Sequence, residues 1–262
     1  MTGRPFLTRV NPVFKLAGLL VLTVALTLVF DPFTPAAFLL VVVVGGRLLG
    51  GVRLRAMGRF LGPFWVAVIG VFLANILLNR LNATSPALVQ LGPLRVTEPA
   101  LVTAASLSLR LLSFATLSMV FVRTTEPSDL ILSLIHQAHL NHRFAYGIMA
   151  GYRMLPLLSG EYALIRAAHR VRGVREGSGF AGRMARFRRY AVPLLAGAVR
   201  RAGRVALAMD ARAFGASGRR TYRRRMTVEA RDWVFVAATV VLAGGLILGL
   251  WAAGVTRFGV GA

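Results

Sequence analysis

Two arginines in this chain stand in nearly the same setting, about 40 residues apart. The first lies in Ala167-Ala168-His169-Arg170-Val171-Arg172-Gly173. The second lies in Ala206-Leu207-Ala208-Met209-Asp210-Ala211-Arg212-Ala213-Phe214-Gly215. Each stretch predicts the last turns of a helix, with small residues, an arginine and a glycine at or near the stop. A guanidinium there meets the negative end of the helix dipole, and that alone is a sufficient structural role for one such motif. Two of them point further. Arginine also holds a carboxylate with two parallel hydrogen bonds or donates to backbone carbonyls, and alanine and glycine let a neighbour approach closely. The chemistry on offer is recognition of a partner, with no bond made or broken.

The chain gives little else that reacts. It has no cysteine, which excludes disulfides and thiolate metal sites. Its single lysine, Lys15, stands at the start of an apolar run, so a phosphate-binding loop with its own lysine is absent. Three histidines, His136, His139 and His142, are spaced by three, but no acid or cysteine completes a ligand set. They read as polar residues at a helix end. No nucleophile–base pair is found; Glu161 and Arg153 read as structural. No catalytic residue, metal ligand or cofactor site is assigned.

The elements that must carry the arginines are dominated by apolar sequence. The 262 residues are 56% hydrophobic, with a mean hydropathy of +0.65. Crossing a bilayer takes about 20 apolar residues. Spans are predicted at 14–30, 33–49, 61–79, 101–122 and 233–252, the second being the weakest because it contains Gly45, Gly46 and Arg47. The first is expected to be retained, since Asp31-Pro32 follows it in place of a small-residue cleavage site. None of the stronger spans contains Asp, Glu or His, which weighs against an ion-coupled carrier. Arg110 is the one charge in the middle of a span, and its expected role is structural, bonded to carbonyls at a helix end.

The net charge is +23, a value that also fits nucleic-acid binding. Its distribution says otherwise. With five spans and the N-terminus inside, three basic residues near the N-terminus, four in 47–59 and 21 in 123–231 all face the cytoplasm. That is 28 of 32. No aromatic-interleaved basic surface accompanies them.

The expected fold is an all-α membrane protein of about five transmembrane helices with long amphipathic cytoplasmic helices. Residues 1–122 form a bundle of four spans, 123–231 a cytoplasmic helical region and 232–262 a last span with its tail. Within 123–231, helices are predicted from about Pro127 to His136, Arg143 to Arg172, and Pro193 to Ala213. Pro156 is expected to interrupt and kink the second, which carries the stripe Phe144, Ile148, Gly151, Leu155, Leu158, Tyr162, Ile165. Gly173–Gly182 reads as a helix-breaking stretch, and Arg219–Arg225 as a juxtamembrane basic cluster. The region around Asn82–Glu98 reads as an outer loop.

With these residues in view the chain resembles the T component of energy-coupling factor transporters, bacterial and archaeal importers of vitamins and metal ions. Arg110 followed by Thr124-Thr125-Glu126-Pro127-Ser128-Asp129-Leu130 is similar to that family's passage into its coupling region. Tyr152-Arg153-Met154-Leu155-Pro156-Leu157-Leu158 is similar to its Arg-x-x-Pro stretch. The two arginine motifs resemble its paired Ala-Arg-Gly signatures, with Val171 where alanine is usual and Ala213 where glycine is usual.

The resemblance implies a non-catalytic subunit of a bacterial plasma-membrane importer. Two ABC-type ATPases would dock on Val171, Arg172 and Gly173 and on Ala211, Arg212 and Ala213. A substrate-binding S component in the bilayer would rest on Leu155, Leu158, Tyr162, Leu195, Val199 and Met209, each of which reads equally as helix packing. Two other readings stay open. One is a membrane enzyme on lipid-linked substrates, which would need clustered acids or histidines. The other is an anchor binding nucleic acid or anionic lipid through Arg183–Arg189 and Arg219–Arg225, with a steep salt dependence.

Overall fold

A computed structural model describes residues 5–29, 31–78, 87–91, 94–174, 177–215 and 225–254. Asn79, residues 82–86 of the loop, Arg175, Glu176 and residues 219–224 of the basic cluster lie outside the described residues. The chain divides into two compact units, Met1–Ala138 with Met226–Ala262, and His139–Arg225.

The first unit contains a short α1 (Phe6–Arg9), then α2 (Pro12–Thr27), α3 (Phe33–Leu48), α4 (Leu54–Leu78), the strands β1 (Ala87–Leu91) and β2 (Leu94–Thr97), α5 (Glu98–Thr124) and α6 (Pro127–Gln137). In chain order α7 (His142–Val171) and α8 (Gly179–Ala211) follow, and both belong to the second unit. α9 (Ala230–Ala252) returns to the first. The protein is a helical membrane protein. α4, α5 and α9 are long and apolar enough to cross a bilayer. α2 and α3 are equally apolar but have 16 residues each. At about 1.5 Å per residue each is about 24 Å long, against a hydrocarbon core of about 30 Å.

Three features of this unit add to the sequence reading. α4 begins at Leu54, ahead of the span predicted at 61–79, so Arg55 and Arg59 sit in its first turns. The 82–98 region holds an antiparallel hairpin, Val89 opposite Val96 and Leu91 opposite Leu94. Its run Leu94-Arg95-Val96-Thr97 alternates with the period of a strand. α6 belongs to this unit, packed on α2.

The helix starts follow local chemistry. Asn11 caps α2, its Oδ1 accepting from Val13 N at 3.2 Å, with Pro12 in the first turn. α5 starts on Glu98 and Pro99 and carries Arg123 in its last turn, each charge matching the dipole at its end. α9 opens with a reciprocal capping box between Glu229 and Asp232.

α5 is the centre of the unit, packed against α4, α3 and α2. Gly46 of α3 lies so close to α5 that a Cβ there would stand 2.7 Å from Val120 Cγ2. Leu26, Phe38, Ala25 and Ala243 form one apolar cluster, and Val52, Met57 and Met119 another. α2 and α9 meet edge-to-face through Phe14 and Trp233, ring centroids 5.1 Å apart.

Polar bonds fasten the helix ends. Buried Asp232 accepts from Asn11 N at 2.7 Å and from Glu229 N at 2.9 Å, joining the starts of α2 and α9. Lys15 Nζ donates to Thr124 O at 2.7 Å, joining α2 to the end of α5. Buried Arg110 donates through Nη2 to the Val29 carbonyl, just past the end of α2. One turn away Ser106 Oγ donates to Asp31 O at 2.9 Å, and the Asp31 carboxylate accepts from Thr34 N and Oγ1 at 2.6 and 2.9 Å, meeting donors in the first turn of α3. A guanidinium inside a span is costly unless its donors find acceptors, and the Val29 carbonyl just past α2 supplies one.

Candidate functional site

The second unit is an antiparallel pair, α7 and α8. Tyr162 of α7 meets Tyr190 of α8 edge-to-face at 5.7 Å, and His169 tilts against the same ring at 5.6 Å. Glu161 takes a charge-assisted hydrogen bond from Arg201. At the other end of α7, Phe214 lies between His142 and Tyr146, at 6.3 and 5.8 Å. Rising residue numbers in α7 therefore meet falling ones in α8.

Two sequence expectations change here. α7 runs unbroken through Pro156; the ring removes one backbone donor, and Ser159 Oγ bonds the Pro156 carbonyl at 2.6 Å in the next turn. α8 begins at Gly179 rather than near Pro193, so Pro193 lies inside it and the helix-breaking stretch ends at Ser178. A proline is at home in a first turn, which made Pro193 look like a start. The spacing of Phe180, Met184 and Phe187 is the signal for the earlier one.

Both arginine motifs end their helices with one geometry. Arg172 is the C-cap of α7. Gly173 N donates to Arg170 O at 3.0 Å and Val174 N to His169 O at 3.1 Å. Arg212 is the C-cap of α8. Ala213 N donates to Asp210 O at 2.9 Å and Phe214 N to Met209 O at 3.0 Å. Each is a complete Schellman motif, the 5→2 and 6→1 bonds both present. The residue after each arginine is left-handed, Gly173 at φ +69° and Ala213 at φ +54°.

The arginines and their flanking residues are exposed, Val171 at 90%. Among the described residues neither Arg172 nor Arg212 spends its side chain on a hydrogen bond or ion pair within the chain. Because Arg212 adjoins His142 and Tyr146, the two tips stand at opposite ends of α7. Thirty residues of helix separate them, about 45 Å.

The tips differ in their support. The second rests on α7 through the Phe214 clasp, and Arg143 Nη2 donates to Gly215 O at 2.8 Å. A cavity of about 480 Å³ opens beside Arg212, walled by His142, Tyr146, Val205, Met209 and Phe214. The first tip projects beyond the Tyr190–His169 contact. Sequence reasoning passed over this clasp; an aromatic just after a helix stop, with an imidazole and an aromatic ring at the preceding helix's start, was its trace.

The apolar residues singled out as a cradle divide. Leu155, Leu195 and Val199 are exposed, Leu158 and Met209 are half-buried, and Tyr162 is engaged by Tyr190. The histidines form no ligand set among the described residues. His136 Nδ1 is bonded to Leu132 O, His139 occupies a left-handed position and His142 faces Phe214.

Comparison with known proteins identifies the family. A family model described as the cobalt transport protein CbiQ matches residues 3–222. The energy-coupling factor transporter transmembrane protein EcfT of Heliobacterium modesticaldum is 30% identical over 198 residues, 72% of each chain. The EcfT protein of Thermosediminibacter oceani is 28% identical over 256 residues, 94% of each chain. A putative ABC transporter ATP-binding protein of Bifidobacterium longum is 27% identical over 250 residues, 91% of this chain but 31% of that longer protein. The chain belongs to the CbiQ family of cobalt transport proteins and is a transporter membrane component of the energy-coupling factor T type.

Proposed function

We propose that the chain couples two ABC-type ATPases to a substrate-binding membrane subunit of an importer for vitamins or metal ions. The observation that carries this is the repeated tip: two exposed arginines on equivalent Schellman caps, about 45 Å apart along α7. That distance suits two partners, one to each end, rather than one ligand held between them. Val171, Arg172 and Gly173 form one contact, and Ala211, Arg212 and Ala213 the other. Each guanidinium reaches for a carboxylate or helix-end carbonyl of an ATPase.

ATP binding and hydrolysis take place on the partners, whose closing and reopening moves α7 and α8. The S component rests on apolar positions such as Leu155, Leu195 and Val199. The protein crosses the plasma membrane several times, with its N-terminus, α7 and α8 on the cytoplasmic side, as its arginine distribution favours. The Bifidobacterium relative lends support, because a region similar to 91% of this chain forms part of an ATP-binding protein there.

The test is co-purification with the cognate ATPases. Arg172→Ala with Arg212→Ala is expected to insert normally while losing most ATPase association and transport. Unchanged association and uptake in that variant would refute the docking reading.

A further inference from the structure

The first eleven residues of α8 have no part in the tips. Phe180, Met184 and Phe187 are spaced i, i+4, i+7 and lie within about 60° of one another around the helix. They are 74%, 49% and 68% exposed. Exposed Arg183 and Arg188 flank this stripe, each about 70° from its centre on opposite sides. The face turned to α7 is a different one, marked by Tyr190, 5% exposed against Tyr162 and His169.

We infer that Gly179–Arg189 binds the surface of an anionic phospholipid bilayer. An apolar stripe one to two side chains wide, bordered by a cation on each side, fits an interface. The rings and the thioether enter the boundary between headgroups and acyl chains. The arginines lay their apolar stems along that boundary and place their guanidinium groups on phosphates. Eleven residues, about 17 Å of helix, are too short to span, so the segment lies along the surface. Charge complementarity selects the lipid: three apolar side chains alone hold a neutral interface only weakly, and the flanking arginines favour a negative one. The inference is independent of the docking of Arg172 and Arg212.

The chain has no cysteine, so Met184→Cys gives a unique labelling site, with Phe187→Cys as a second position. The full chain, carrying an environment-sensitive dye there, is reconstituted into nanodiscs of phosphatidylcholine alone or mixed with phosphatidylglycerol. Bilayer contact is read by quenching from spin-labelled lipids. Quenching is expected to be strong in the anionic discs and weak in the neutral ones. It should drop to the neutral level in Arg183→Gln with Arg188→Gln. Salt raised to 1 M, where the screening length shrinks from about 10 Å to about 3 Å, should do the same. Equal quenching in both discs, quenching that survives the double substitution, or a blue-shifted dye that no lipid quenches would overturn the inference. The last result would assign the face to a protein neighbour.

Discussion

Gly173 and Ala213 occupy the same station in two copies of one helix stop. Each follows a C-cap arginine, donates to the carbonyl three residues back and takes a left-handed backbone. Glycine adopts that conformation freely, whereas an alanine Cβ crowds the carbonyl that follows, at about 1–2 kcal/mol. Ala213→Gly is therefore expected to stabilise the α8 end by about 1 kcal/mol, and Gly173→Ala to destabilise the α7 end by a similar amount. Denaturation midpoints of the detergent-solubilised protein check both signs. A loss of stability in Ala213→Gly would show that Ala213 is held without strain.

The Phe214 clasp gives a separate expectation. Each edge-to-face contact adds about 0.5–1.5 kcal/mol beyond burial. Phe214→Ala removes the contacts to His142 and Tyr146 while leaving Arg212 in the chain. The end of α8 should then exchange its amide hydrogens faster, and ATPase association should weaken less than in Arg212→Ala. Hydrogen exchange over 205–215, compared with co-purification, separates placement of the arginine from its own contact.

We propose that Arg110 acts as a fastening between α5 and the end of α2. Its Nη2 closes the Val29 carbonyl at the end of α2. Arg110→Met should cost about 1–3 kcal/mol by leaving that acceptor without its partner. The loss should appear in the thermal stability of the membrane unit, with substrate preference of the assembled importer unchanged. A changed substrate preference at undiminished stability would argue for a direct role.

Glu161 and Arg201 tie α7 to α8 at a site about a quarter exposed. Solvent screens such a pair, so the coupling energy from a cycle of Glu161→Gln and Arg201→Gln should be about 0.5–1 kcal/mol. A coupling near zero would leave Tyr162, Tyr190 and His169 as the effective contact between the helices.

The sequence carried the motifs plainly because they are local. Arg172 and Arg212, with their small neighbours, predict helix ends whatever surrounds them, and hydropathy marks α4, α5 and α9 by length alone. What escaped depends on partners distant in the chain. The clasp joins His142 and Tyr146 to Phe214 across about 70 residues, and no periodicity reports such a pairing. Pro193 pulled the expected start of α8 some 14 residues too late, because a proline's preference for a first turn is weaker than the packing that carries a helix through it. The β1–β2 hairpin was hidden by its short strands.

The separation of the two tips bears on how strongly the assembly holds together. Where two partners also touch each other, capturing one brings its mate to the second tip at a high local concentration, and avidity multiplies two modest affinities. A hairpin that held both arginines at one end would forgo this gain, since the partners would compete for the same space. With the tips at opposite ends of a 30-residue helix, losing either arginine should turn a bivalent grip into a monovalent one. The complex would then fall apart with dilution long before either single contact is abolished.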